Sequence, residues 1–233
     1  KNLKYLILLK ESAVEAHKNL PDYLHQTIDK NLSYLKTLIT PENKLPLFNG
    51  VNEVSTENFE DYLVNLNLKI KKVKSPIGDI VILKNKKDTV YIDVGGPPKK
   101  LHSYNYQLGP LSFEYFFEGK KIITNCGYGS KISKKAERLS RLSSAQSTIT
   151  LNNESVIKKD EIFNYKNSFK IYDTEFINDD TKIICIASHD AYYKKYGCII
   201  RRQIELNKKD GNVYGSDEFI SDNTSENIFF DIR

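Results

Sequence analysis

The sequence predicts an α+β protein, a short N-terminal helical segment followed by a large antiparallel β-sandwich. Two observations carry that reading. Apolar residues recur at intervals of three and four in the opening part, then in period-two and short continuous runs from about residue 70. Turn-forming pairs punctuate the second part, and no fixed repeat or low-complexity linker interrupts it. The domains therefore read as 1–68 and 69–233. A chain of 233 residues, 39% hydrophobic and 28% charged, is ordinary for a globular protein and long enough to bury one good core.

The first helix is expected over residues 3–20, with Leu3, Leu6, Ile7 and Val14 at helical spacing and Pro21 as its stop. A second begins near Asp22, carries Leu24, Ile28, Leu32, Leu35 and Leu38, and ends at "TPENK". After the polar loop "LPLFNGVNE", the stretch "STENFEDYLVNL" reads as a short helix capped by Ser55 or Thr56. Strands are expected at "DIVILKN", "TVYIDV", "LSFEYFF", "KIITNCG", "STITLNN", "FKIYDTEF", "TKIICIASHD" and "CIIRRQIEL". Turns fall between them at Gly96-Pro97-Pro98, Glu118-Gly119, Asn152-Asn153, Asn178-Asp179-Asp180 and Asp210-Gly211.

A net charge of +5 is modest, and "KIKKVK" and "KNKKD" read as solvated strand edges and turns. Zinc-finger spacing, a groove-reading basic helix and an RNA-binding signature are all missing, so nucleic acid is not the expected partner. The opening apolar run is too short to span a membrane. Cys126, Cys185 and Cys198 lie in apolar runs and are expected as buried free thiols. The chain does not begin with Met, which suggests a processed product or a piece of a longer protein. Local catalytic signatures such as a nucleophile elbow, a P-loop or a dinucleotide fingerprint are lacking. His17 and His25 fall on expected helices as surface or packing residues, whereas His102 and His189 sit at strand–loop junctions.

Four segments in order carry a resemblance: "LPLFNGVNE", "DVGGPP…LGPLSFEYFFEGKKIITNCG", "RLSRLSSAQSTITLNNES" and "ASHDAYYKKYGCIIRRQIEL…DGNVYGSDEF". Together they resemble the C-terminal part of the heparinase II/III family, polysaccharide lyases built from an α/α toroid and a β-sandwich. The resemblance implies that residues 1–68 are the end of a toroid. It places "DGNVYGSDEF" at the family's Gly-x-Asp turn, and it implies further sandwich beyond "NIFFDIR". The remaining toroid helices of the same protein would then be a partner, and a periplasmic or secreted location is implied, although a cytoplasmic one stays open.

Departures from the family pattern are informative. Metal-containing relatives hold a divalent ion, usually zinc, with two His and an acidic residue. Those positions fall at Gln107, Asn125 and Gln146, all amides, which bind zinc poorly and are expected to satisfy one another by hydrogen bonds. No cofactor is therefore expected. The family's catalytic His falls at Asn105, with His102 three residues away. The resemblance implies β-elimination on a uronic-acid-containing acidic polysaccharide: a base removes the C5 proton, and donors neutralise the carboxylate. Asn105, His102, Tyr104 and Tyr106 are the catalytic candidates; Gln107, Arg138, Arg141, Gln146 and His189 are the candidates for binding substrate.

Each candidate also has a structural reading. Tyr104 and Tyr106 would be rim packing groups, and Arg138 and Arg141 surface ion-pairing residues. Gln146 would be a buried hydrogen-bonding residue, and His189 with Asp190 a loop-orienting pair. Three functions follow: a lyase in the full-length protein, with this piece alone inactive; a non-catalytic sandwich that binds glycan; or an interaction module for a protein partner. Elimination activity separates the first two, and salt-sensitive glycan binding separates both from the third.

Overall fold

The computed structural model describes residues 2–53, 56–66, 70–98, 103–157, 169–221 and 230–232. It contains two compact units, Lys1–Leu45 with Ser55–Lys74, and Pro46–Val54 with Ser75–Arg233.

The first unit contains α1 (Asn2–Glu15), α2 (Asp22–Leu38) and α3 (Glu57–Asn65). The i, i+4 pair Ile28 and Leu32 puts two branched side chains on one face of α2, where they are buried with Ile7 and Leu63. Two expectations need correction. The first helix stops at Glu15 instead of running to residue 20, and His17 beyond it has φ 51°, which no right-handed helix continues. Thr56 does sit at the N-cap of α3, but its hydroxyl donates to the Asn43 carbonyl at 2.9 Å, so the expected capping hydrogen bond is not made.

The second unit is an antiparallel sandwich. One sheet runs in the order β1 (Ile80–Lys84), β2 (Asp88–Asp93), β3 (Phe113–Phe117), β4 (Lys120–Ile123). Further along the chain come α4 (Lys134–Leu139) and β5 (Ile149–Leu151). The second sheet runs in the order β6 (Ile171–Asn178), β7 (Lys182–Tyr192), β8 (Cys198–Asn207), β9 (Val213–Ser221), with the single-turn α5 (Tyr193–Tyr196) between β7 and β8. The short strand β5 pairs with β10 (Phe230–Ile232).

Alternation aims every second side chain inward, so Val81, Leu83, Val90 and Ile92 of the first sheet meet Ile183, Cys185, Ile204 and Leu206 of the second. Hairpin chemistry sets the register. Glu118 and Gly119, at φ 48° and 81°, close β3 onto β4. The eight expected strands all contain strands. Residues 213–221 correct the reading of "DGNVYGSDEF" as a turn, because they form β9, paired along its whole length with β8. Cys185 and Cys198 are buried free thiols as expected, whereas Cys126 is exposed. It follows Asn125 in the loop after β4, and with Asn125 turned inward its neighbour faces solvent.

Candidate functional site

The segment leading into β3 passes from surface to core, with residues 106–112 all buried. Tyr106 and Leu108 are buried with Ile157 and Phe169, and the Leu108 amide donates to the Arg141 carbonyl at 3.0 Å. The two residues before Tyr106 point outward: Tyr104 is 66% exposed, and Asn105 is exposed as well. Asn105 and Tyr106 line a cavity of ≈ 370 Å³ together with Asn49, Asp79, Asp93 and Pro98.

Behind this wall lies a set of buried polar groups. Gln107 accepts from the Gly50 amide through Oε1 at 3.1 Å and donates from Nε2 to the Ser140 carbonyl at 2.9 Å. Gln146 Nε2 donates to the same carbonyl at 2.8 Å. Asn125 Oδ1 accepts from the Ser147 amide at 2.8 Å, and its Nδ2 has no acceptor among the described residues. The three amides therefore bond to backbone and to Ser147, where the sequence led us to expect bonds among themselves. Two of them turn amide nitrogens toward one carbonyl, a donor set that does not fit zinc, which takes imidazole, thiolate or carboxylate. Among the described residues no group of three or more His, Cys, Asp or Glu side chains gathers to hold a metal ion.

Glu114, fully buried on β3, accepts from the Leu47 and Asn125 amides and from the Thr124 hydroxyl, with Lys121 at 3.9 Å. Burial pushes its carboxyl above the usual range. Asp93, at the end of β2, accepts from Asn49 Nδ2 at 2.6 Å and from the Gly95 amide at 2.9 Å. Burial pushes Asp93 up to about 7, and the nearby Asp79 charge acts in the same direction.

The remaining sequence candidates lie as follows. Arg138 is exposed on α4, whereas Arg141, past the helix end, is 1% exposed and donates from Nη2 to the Ser103 carbonyl at 3.2 Å. The i, i+3 pair thus points one guanidinium outward and the other inward. His189 on β7 is 1% exposed, beside the rings of Phe169 and Tyr192. Burial, with the neighbouring Arg202 charge, lowers it to about 3, so it is neutral at pH 7. His102 lies outside the described residues. The cavity thus gathers Asn105 and Tyr106, the Ser140 carbonyl gathers Gln107 and Gln146, and His189 belongs to the core.

Sequence reasoning missed Asn49, Gly50 and Asp93. The Asn-Gly pair inside "LPLFNGVNE" was the available signal, since that dipeptide favours consecutive left-handed residues, and φ is 42° and 96° there.

Residues 73–233 match the family model described as heparinase II/III-like, C-terminal. The chain belongs to the heparinase II/III-like family. Its fold is similar to a mutant of the heparan sulfate lyase HepC from Pedobacter heparinus, at 14% identity and TM-score 0.65, covering 89% of this chain and 34% of that one. A heparinase III gene product matches at 13% identity and TM-score 0.68, covering 87% of this chain and 33% of that one. The chain therefore spans about a third of the length of these structures. A search of the curated proteins returns no significant match. Among the described residues no helix is long and apolar enough to cross a membrane.

Proposed function

We propose that this heparinase II/III-like domain is the C-terminal part of a polysaccharide lyase that cleaves a uronic-acid-containing glycan by β-elimination. The observation that supports the reading best is the exposed Asn105 amide on a cavity wall in the loop entering β3. In β-elimination a base takes the C5 proton, the C–H electrons form the C4–C5 double bond, and the C4 oxygen leaves with a proton from an acid. Negative charge builds on the C5 carboxylate during the first step. An amide N–H of Asn105 aimed at a carboxylate oxygen stabilises that charge, and removing one such donor costs on the order of 100-fold or more in rate. Tyr104 stands beside it as a candidate to carry the proton. Arg138, exposed on α4, is a candidate to attract the anionic chain.

Gln107, Gln146 and Asn125 act in this reading as a metal-free support, with Gln107 and Gln146 holding the loops around Ser140 and Asn125 holding Ser147. Metal analysis of the full-length protein checks that part: zinc present at one equivalent per chain contradicts it.

The decisive experiment follows unsaturated uronate absorbance across a panel of acidic polysaccharides, using full-length protein and its Asn105→Ala variant. Product from the parent and its loss in the variant is the expected result. Failure of the parent on every substrate overturns the lyase reading and leaves a glycan-binding relative, which the amides at the three family metal positions would suit.

A further inference from the structure

We propose that Asn49, Gly50 and Asp93 form a positioning bracket that fixes the Asn105 side chain at the cavity wall. The role rests on reading Asn105 as a contact to the substrate carboxylate. The bracket begins with backbone conformation. Asn49 and Gly50 take consecutive left-handed φ values of 42° and 96°. Asn tolerates that region better than most residues with a side chain, and glycine adopts it freely. The reversal points one amide side chain and one backbone N–H into the same neighbourhood.

Asn49 Nδ2 donates to Asp93 Oδ2 at 2.6 Å, and the other Asp93 oxygen is held by the Gly95 amide at 2.9 Å, so the carboxyl has two anchors. On its other side, Asn49 Oδ1 accepts from the Gln107 amide at 3.4 Å, and the Gly50 amide donates to Gln107 Oε1 at 3.1 Å. Both bonds land two residues from Asn105. The contact with Asn105 itself is steric. A Cβ added to Gly50 would lie 2.5 Å from the Asn105 Cβ, closer than such atoms approach, and in tight contact at 3.2 Å with its Cγ. Asn105 therefore lies against a surface that only glycine leaves open. Asn49, Asp93 and Asn105 all line the same cavity, so a displacement of the bracket displaces the amide within it.

The test is a double-mutant cycle in the full-length protein. Gly50→Ala is expected to lower kcat by about 10- to 100-fold with little change in KM, the range that misplacing a reacting group by about 1 Å produces. Asn49→Gly, which keeps the backbone free and removes only the amide, is expected to shift kcat in the same direction by less. In an Asn105→Ala background, Gly50→Ala is expected to cost little more, because the group it displaces is already gone. Equal losses in both backgrounds overturn the proposal, since Gly50 would then act through the fold at large. Hydrogen exchange of residues 103–109 gives a readout independent of activity. Faster exchange in Asn49→Gly and Gly50→Ala supports the bracket, and unchanged exchange overturns it. If the parent protein eliminates no substrate, the lyase reading fails, and the exchange result still decides whether the bracket exists.

Discussion

Asp93 shows how one carboxyl connects packing with pH. Its pKa is held at about 7 against an ordinary 3.8, mainly because burial disfavours the charged form. The Asn49 and Gly95 hydrogen bonds pull the other way, and the Asp79 charge adds to the rise. The folded chain therefore binds this proton more tightly than the unfolded chain does. Below about pH 4 both states are protonated and the group has no effect; as pH rises from there through about 7, stability falls by a few kcal/mol at most. Asp93→Asn removes the titration, so its thermal midpoint is expected to change less than the parent's between about pH 5 and about pH 8. Equal changes in the two proteins would show that Asp93 is not the source of the slope. His189 differs: it is held neutral well below pH 7, and its titration belongs to acid unfolding.

At the scale of elements, Arg202 ties the second sheet to the loops around it. It stands directly opposite Asp217 across β8 and β9 and makes two bonds to that carboxylate, at 2.7 and 2.9 Å. Its Nη1 also reaches the Leu111 and Ser147 carbonyls at 2.8 and 2.9 Å. The guanidinium is 6% exposed, so its partners replace water rather than add to it. Asp217→Ala leaves that cation buried without its counter-ion and is expected to cost about 3–5 kcal/mol of unfolding free energy. Arg202→Lys cannot reproduce the planar fork and should also destabilise. Denaturant unfolding measures both, and a loss under about 1 kcal/mol for Asp217→Ala would mean that water reaches the pair. The sequence revealed the strands on either side of this pair more readily than the pair. In β8 every second residue is buried from Cys198 onward, a periodicity visible in "CIIRRQIEL". β9 was read as a turn because the resemblance placed the family's Gly-x-Asp turn at Gly215 to Asp217, but those residues pair with β8 along the strand.

At the scale of the whole chain, local grammar and long-range contact separate more sharply. The positions of eight strands, the hairpin turns and the helical opening follow from spacing and turn chemistry, both properties of neighbours in sequence. The candidate site does not, since its contacts join residues 44 to 67 positions apart: Asn49 to Asp93, Gly50 to Gln107 and Leu47 to Glu114. No periodicity records such pairings, so only Asn105 and Tyr106 of the cavity residues were found in advance, and Asn49, Asp79, Asp93 and Pro98 were not. The segment 46–54, which the sequence placed in the helical domain, makes these bonds within the sandwich unit. Its hydrophobic anchor is Phe48, 5% exposed and clustered with Tyr91 and Phe116. Removing that ring should open a cavity in the sandwich and free the Asn49–Gly50 turn beside it. Phe48→Ala is therefore expected to cost about 3–5 kcal/mol in denaturant unfolding of the full-length protein. Ile132→Ala, at a residue 82% exposed, provides the contrast and should stay within about 0.5 kcal/mol of the parent. The same Phe48→Ala variant should speed hydrogen exchange in residues 103–109, because the bonds from 49 and 50 to Gln107 depend on where Phe48 seats the segment. Slow exchange there despite lost stability would mean that Asp93 alone holds the turn in place.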